Sequence, residues 1–271
     1  MWVEFRESGD FRDIPHLFHF IELLFVFFTK YGEDINDVRN ITFPQWAGDS
    51  WMGKEGKDYN RWILERIWGK GLRIEPGENL DVIIDRGSLP NGNINKSWCK
   101  EIRNFDPYLW SNKLRIPRSP NKLPVVTYIN RQNSQRRRMP EVVHHAFLNR
   151  MRVIPGIVFR DIMMEELSFE HQFNIANETD LLIGVHGNGL SHAAFMRPHR
   201  NVVEIFTPNC KFHWDYYTLS KMMGHEYLCI FDSCVTLPHV FVKNRDVVCT
   251  SCVKIPIRPI IAIIDQIKEE K

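Results

Sequence analysis

From Val125 onward the chain repeats one pattern, an apolar run of about five residues followed by a helical stretch. The runs are Val125 to Ile129, Ile157 to Phe159, Leu181 to Val185, Val202 to Phe206 and Tyr227 to Phe231. Between them, Glu141 to Met151, Met164 to Ala176, Leu190 to Met196 and Trp214 to Gly224 carry apolar residues at helical spacing. Runs without polar alternation belong to strands buried on both faces, and helices are what cover those faces. The pattern predicts an α/β fold whose second half is Rossmann-like with a mainly parallel sheet.

The first half reads differently. Three prolines between Leu114 and Pro124 separate it from the regular part, which divides the chain into a domain over residues 1–115 and a second over 122–271. Leu17 to Phe28 reads as a core helix, Asn60 to Trp68 as another, and Asp81 to Asp85 as a strand, with no topology traced between them. Residues 255–271, with an Ile260, Ile261, Ile264, Ile267 stripe, predict a last helix that packs on the sheet or reaches back across the junction. The apolar stretch from Ile14 to Phe28 is short and interrupted by Pro15, His16, His19 and Glu22, so no membrane segment and no targeting signal are expected. Six cysteines in 271 residues do not make a disulfide scaffold, and Cys249 and Cys252 lack a second pair for zinc.

The candidate chemistry starts at Gly184-Val-His-Gly-Asn-Gly-Leu190, where a strand ends in Gly184-Val185, a turn with Gly187 and Gly189 follows and a helix opens. Backbone N–H groups at such a junction receive phosphate, and glycines let the ligand approach. The spacing is not that of the dinucleotide fingerprint, and a tight strand-to-helix connection reads the same way. A second feature follows the first strand of the same half: Arg131, Arg136, Arg137 and Arg138 lie within eight residues. Guanidinium groups at that sheet edge suit a diphosphate, although a solvated basic loop or a nucleic-acid patch has the same composition. A net charge of +2, with 35 basic against 33 acidic residues, argues against nucleic acid as the partner.

Together with Ser168-Phe-Glu-His-Gln172, Thr179 to Leu190, Asn201 to Phe206 and Lys221 to Tyr227, these features resemble glycosyltransferase family 61. A looser likeness extends to Phe18-His19-Phe20-Ile21-Glu22. The resemblance implies a GT-B-like pair of Rossmann-like domains, the first either complete or shortened, with a UDP-sugar donor on the second and a glycan or glycoprotein acceptor toward the first. Xylose, arabinose and N-acetylglucosamine are the sugar classes it suggests, and the secretory pathway (Golgi or endoplasmic reticulum lumen) is the compartment. It places Arg131, Arg137 and Arg138 on the diphosphate, His186, Gly187, Asn188 and Gly189 in the donor turn, and Glu204 on the ribose. Asn188 and Met139-Pro140 depart from the family's usual residues, and full-length members carry an anchor and stem ahead of their first domain.

Sugar transfer with inversion needs a base for the acceptor hydroxyl and positive charge for the departing diphosphate. Arginines and turn amides can supply the second, and the chain has no clear Asp-x-Asp pair, so no metal and no obligatory cofactor are expected. Candidates for the base are His186, His19 and Asp85; His186 also suits a donor contact, His19 a core position and Asp85 a turn. Trp214 and Tyr216 suit helix packing or stacking on a donor. The alternatives are an inactive glycan- or sugar-nucleotide-binding relative and a nucleic-acid-binding protein.

Overall fold

The structure, a computed structural model, describes residues 2–6, 17–32, 36, 38, 40–43, 59–69, 73–76, 82–85, 104–117, 121–134, 138–207, 215–231, 234–236 and 255–271. It divides into two compact units, Met1–Ile116 and Pro117–Lys271.

In the first unit, the run expected as a core helix forms α1 (Leu17–Tyr31), which buries Leu17, Phe20, Ile21, Leu24, Phe25, Phe27 and Phe28. Apolar side chains on so many positions need neighbours on more than one side. α2 (Tyr59–Trp68) and α3 (Pro107–Lys113) supply them: Phe27 meets Trp68 at 5.9 Å and Phe25 meets Trp110 edge-on at 4.8 Å. α3 starts where it does because Asp106 accepts from Tyr108 N and Pro107 presets the first turn. Beyond its end, Arg66 of α2 donates to the Leu114 carbonyl at 2.5 Å. Strands β1 (Trp2–Arg6), β2 (Asn40–Phe43), β3 (Arg73–Pro76) and β4 (Val82–Asp85) make a parallel sheet of order β3-β2-β1-β4. Of these only β4 was expected, because Asn-Ile-Thr-Phe and Arg-Ile-Glu-Pro are too short and mixed to carry a strand period.

The second unit holds β5 (Val125–Ile129), α4 (Glu141–Arg152), β6 (Val158–Ile162), α5 (Phe169–Glu178), β7 (Leu181–Val185), a 3-10 helix (Asn188–Phe195), β8 (Asn201–Phe206), α6 (Asp215–Met222), β9 (Glu226–Phe231), β10 (Cys234–Thr236) and α7 (Ile257–Glu270). The sheet order is β10-β9-β8-β7-β5-β6; five neighbouring strands run parallel and β10 pairs antiparallel to β9. One face packs Val126, Ile183, Val203 and Ile230 against Phe147, Leu148 and Met151 of α4 and Ile260, Ile264 and Ile267 of α7. The last helix thus lies on the sheet. Each fully buried aliphatic side chain there contributes about 1.5–3 kcal/mol by transfer from water.

Two elements differ from expectation. Met164 to Ala176 is not one helix: a 3-10 turn (Met164–Glu166) ends at Leu167, and α5 restarts behind Ser168, whose extended backbone and hydroxyl cap His171 N. The segment after the glycine turn is a 3-10 helix, not an α-helix. Among the described residues no helix is long and apolar enough to cross a membrane.

Candidate active site

After β5 the chain adds β6 on one side, and β7 then pairs with β5 on the other. At such a switch the connections leave the strand ends in opposite directions and a crevice opens at their carboxyl ends, where ligands of this architecture bind. Arg131 follows β5 and the glycine turn follows β7, so both features singled out in the sequence lie at this point.

The glycines have separate reasons. Gly187 sits at φ 141°, a backbone region that L side chains rarely adopt. A Cβ on Gly184 would stand 2.9 Å from Leu190 Cδ2, and one on Gly189 would stand 2.9 Å from Ile129 Cγ2. The turn is therefore pressed against the end of β5. From below, the buried His192 ring bridges the Gly189 carbonyl and Gln172 Oε1, each at 2.8 Å. Gln172 is held in turn, since its amide donates to the carbonyls of Met164 and Leu167.

On the arginine side, Asn130 Oδ1 accepts from Gln132 N and its amide donates to Asp161 at 3.0 Å. The Gln132 side chain pairs with both backbone polar groups of Met139, at 3.0 and 3.1 Å, and so clasps the ends of the arginine loop. Arg138 within it is exposed, and Arg137 lies outside the described residues. Arg131 lies close enough to Tyr216 for its charge to favour the phenolate, although burial and the charges of Glu204 and Asp215 keep Tyr216 protonated well above its ordinary range.

His186 is buried, stacked on Phe206 at 5.1 Å and edge-on to Tyr216 at 5.4 Å. Its Nδ1 lies 2.5 Å from Glu204 Oε1, and the Tyr227 hydroxyl donates to Glu204 Oε2. Glu204 has no exposed surface. The resemblance implied a ribose contact for this carboxylate, yet both of its oxygens are bonded to buried side chains. A carboxylate facing Nδ1 favours the proton on that nitrogen and gives Nε2 the lone pair. A second chain of bonds runs beside the first: Ser191 Oγ donates to Asn188 Oδ1 at 3.0 Å, and Tyr216 bonds Ser191. The structure thus gathers Arg131, His186, Asn188, Ser191 and Tyr216 near the carboxyl ends of the strands, and links His186 to Glu204 within β8 and, through it, to Tyr227 near the start of β9. His19 lies on α1 and Asp85 ends β4, both in the other unit, with side chains outside the described residues, as is all of Trp214.

Tyr227 and Ser191 went unassigned in the sequence. The signal for Tyr227 was Glu204 itself: a carboxylate in an otherwise apolar strand needs donors from adjoining strands, and Tyr227 sits diagonally across, since Glu204 pairs with Cys229.

The profile of the family described as Glycosyltransferase 61 matches residues 54–203, more than half of the chain. The chain belongs to glycosyltransferase family 61. The matched region takes in Arg131 and the whole glycine turn and stops one residue short of Glu204. Among similar proteins of the family, an EGF domain-specific O-linked N-acetylglucosamine transferase of Drosophila melanogaster is 28% identical over 120 residues, 43% of this chain and 22% of the fly protein. The proteins of the same description from Canis lupus familiaris and Mus musculus are each 35% identical over 68 residues, 25% of this chain and 12% of their own length. The aligned part of this chain thus spans less than a quarter of these relatives.

Proposed function

We propose that this chain transfers a sugar from a UDP-sugar to a hydroxyl of a glycan or glycoprotein, with inversion at the anomeric carbon. The observation that supports it best is the buried His186–Glu204 pair at the ends of adjacent parallel strands, beside Arg131 at the switch point. In this reading the two units form a GT-B-like pair, and the relatives' description favours N-acetylglucosamine over xylose or arabinose. The secretory pathway is the compartment in which such an acceptor is met.

His186 Nε2 takes the proton of the acceptor hydroxyl as the oxygen bonds the anomeric carbon. The bond from that carbon to the diphosphate oxygen breaks, and UDP leaves with the electron pair. Arg131 and the Gly187–Gly189 amides receive the developing charge, with Arg137 and Arg138 completing the basic loop. Among the three base candidates His186 is the one with a described carboxylate partner, so Glu204 orients the imidazole instead of meeting the ribose.

The test measures UDP release from UDP-N-acetylglucosamine, UDP-xylose and UDP-arabinose with an EGF-like domain or a xylan oligosaccharide as acceptor, for the parent and His186→Ala. Thermal shifts with UDP, GDP, CMP and NAD run alongside. The reading expects UDP to stabilise the chain and one donor to turn over only in the parent. Stabilisation by NAD with no response to UDP would sink it; UDP binding without turnover would identify an inactive relative.

A further inference from the structure

Glu204 is a carboxylate with no exposed surface, so contact with bulk solvent does not offset its burial. Two donors face it, His186 Nδ1 at 2.5 Å and the Tyr227 hydroxyl. The three residues stand on three successive structural segments, after β7, within β8 and within β9, which pair in parallel register. Tyr227 is itself fixed. It is buried, its ring meets Tyr217 edge-on at 5.5 Å, and β9 holds its backbone.

We infer that Tyr227 is a positioning residue that sets the basicity of His186 through Glu204, a role that deepens the transferase reading and rests on it. Tyr227 occupies one oxygen of the carboxylate, leaves the other for Nδ1, and tempers how strongly the carboxylate holds a proton on the imidazole. A carboxylate with one donor fewer attracts the imidazolium more strongly, so losing the Tyr227 hydroxyl makes His186 a group that keeps its proton to higher pH. Burial first, and then the Glu204 charge, hold the Tyr227 phenol well above its ordinary range, so this donor persists wherever the imidazole titrates.

Other groups bear on the same imidazole. Tyr216 faces it from α6; around the Tyr216 hydroxyl are Asp215 on its own helix and Arg131 after β5. Cys229 lies close to Tyr227 on β9. Conservative changes at Tyr227 and Glu204 leave all of these in place, which lets the effect of the hydroxyl be read alone.

The full chain, labelled at histidine Cε1, is titrated by NMR without donor or acceptor, with the His186 signal assigned by its loss in His186→Gln. Tyr227→Phe keeps the ring and removes the hydroxyl; the His186 midpoint is expected to rise by about one pH unit, the equivalent of weakening one charge-assisted hydrogen bond. An unchanged or lowered midpoint overturns the inference. If the orphaned carboxylate prevents Tyr227→Phe from folding, Tyr227→Phe/Glu204→Gln removes the charge as well and is compared with Glu204→Gln alone. The two should share one His186 midpoint, below the parent's, and a separation between them overturns a role that acts through the carboxylate. With a turnover assay in hand, the acid limb of the kcat/KM profile should move with the midpoint in Tyr227→Phe while KM for the donor stays within about twofold. A moved midpoint without any turnover in the parent supports the inference and rejects the transferase reading.

Discussion

Gly189→Ala adds a methyl 2.9 Å from Ile129 Cγ2, about an ångström inside an ordinary carbon contact. Ile129 is β-branched, lies in a buried strand and carries that methyl directly on Cβ, so χ1 cannot swing it away without leaving its rotamer well. The turn on the other side is held by His192 through the Gly189 carbonyl. Overpacking of this kind costs about 1–3 kcal/mol, and the narrower unfolded ensemble of alanine returns about 0.4–1 kcal/mol. The net is a loss of about 1–2 kcal/mol, or roughly 2–8 °C in Tm. Urea denaturation of the parent, Gly189→Ala, Ile129→Ala and the double variant completes a cycle in which the two changes should couple favourably by about 1–2 kcal/mol, because the truncated side chain removes the opposing methyl. UDP should stabilise Gly189→Ala less than the parent, since the proposed function has the displaced amides receive the diphosphate. A neutral Gly189→Ala, or a double variant whose losses simply add, would refute the close-approach argument.

His225 gives a pH prediction. Burial pushes it down to about 4, and the geometry agrees, since its Nδ1 accepts from Arg200 N while Nε2 faces the Ala193 carbonyl. The unfolded chain takes up this proton first, so the stability it guards is complete above about pH 6.5 and is lost as pH falls toward 4, by up to about 3 kcal/mol. Denaturation at stepped pH should show that slope, shallower in His225→Gln. Asp180→Asn leaves Arg197, Arg200 and Lys271 around an uncharged group; breaking so buried a network should cost about 3–5 kcal/mol by chemical denaturation. Arg131→Lys keeps the charge but loses the fork, and calorimetry should find UDP bound about tenfold more weakly with little change in Tm.

The second unit was legible chiefly through its fully buried strands: Val125–Ile129 and Leu181–Val185 have no exposed position, and an unbroken apolar run is what such burial selects. The first sheet was not, since β2 and β3 have four residues each and mixed composition. At the site, the glycine spacing and Arg131 could be read as a pair because both follow strands. Glu204 was named through the family resemblance, but its partner could not be. A carboxylate in a strand looks the same whether it faces a ligand or a histidine on the next strand, and only register and burial separate the two. Tyr216 suits packing or donor stacking by sequence, and it does pack; its bond to Ser191 depends on a 3-10 geometry with no sequence period to announce it.

Four of the residues gathered at the site, Arg131 just after β5, His186 just after β7, Glu204 within β8 and Tyr227 within β9, span most of the parallel sheet. No small segment can open and expose these four alone, because each lies in or directly beside a strand hydrogen-bonded to its neighbours. On the proposed function, a nucleotide seated beside them would act as a clamp on the whole sheet. Its binding energy should register as slower hydrogen exchange throughout β5, β7 and β8, and as slower global unfolding, instead of as protection confined to the turn.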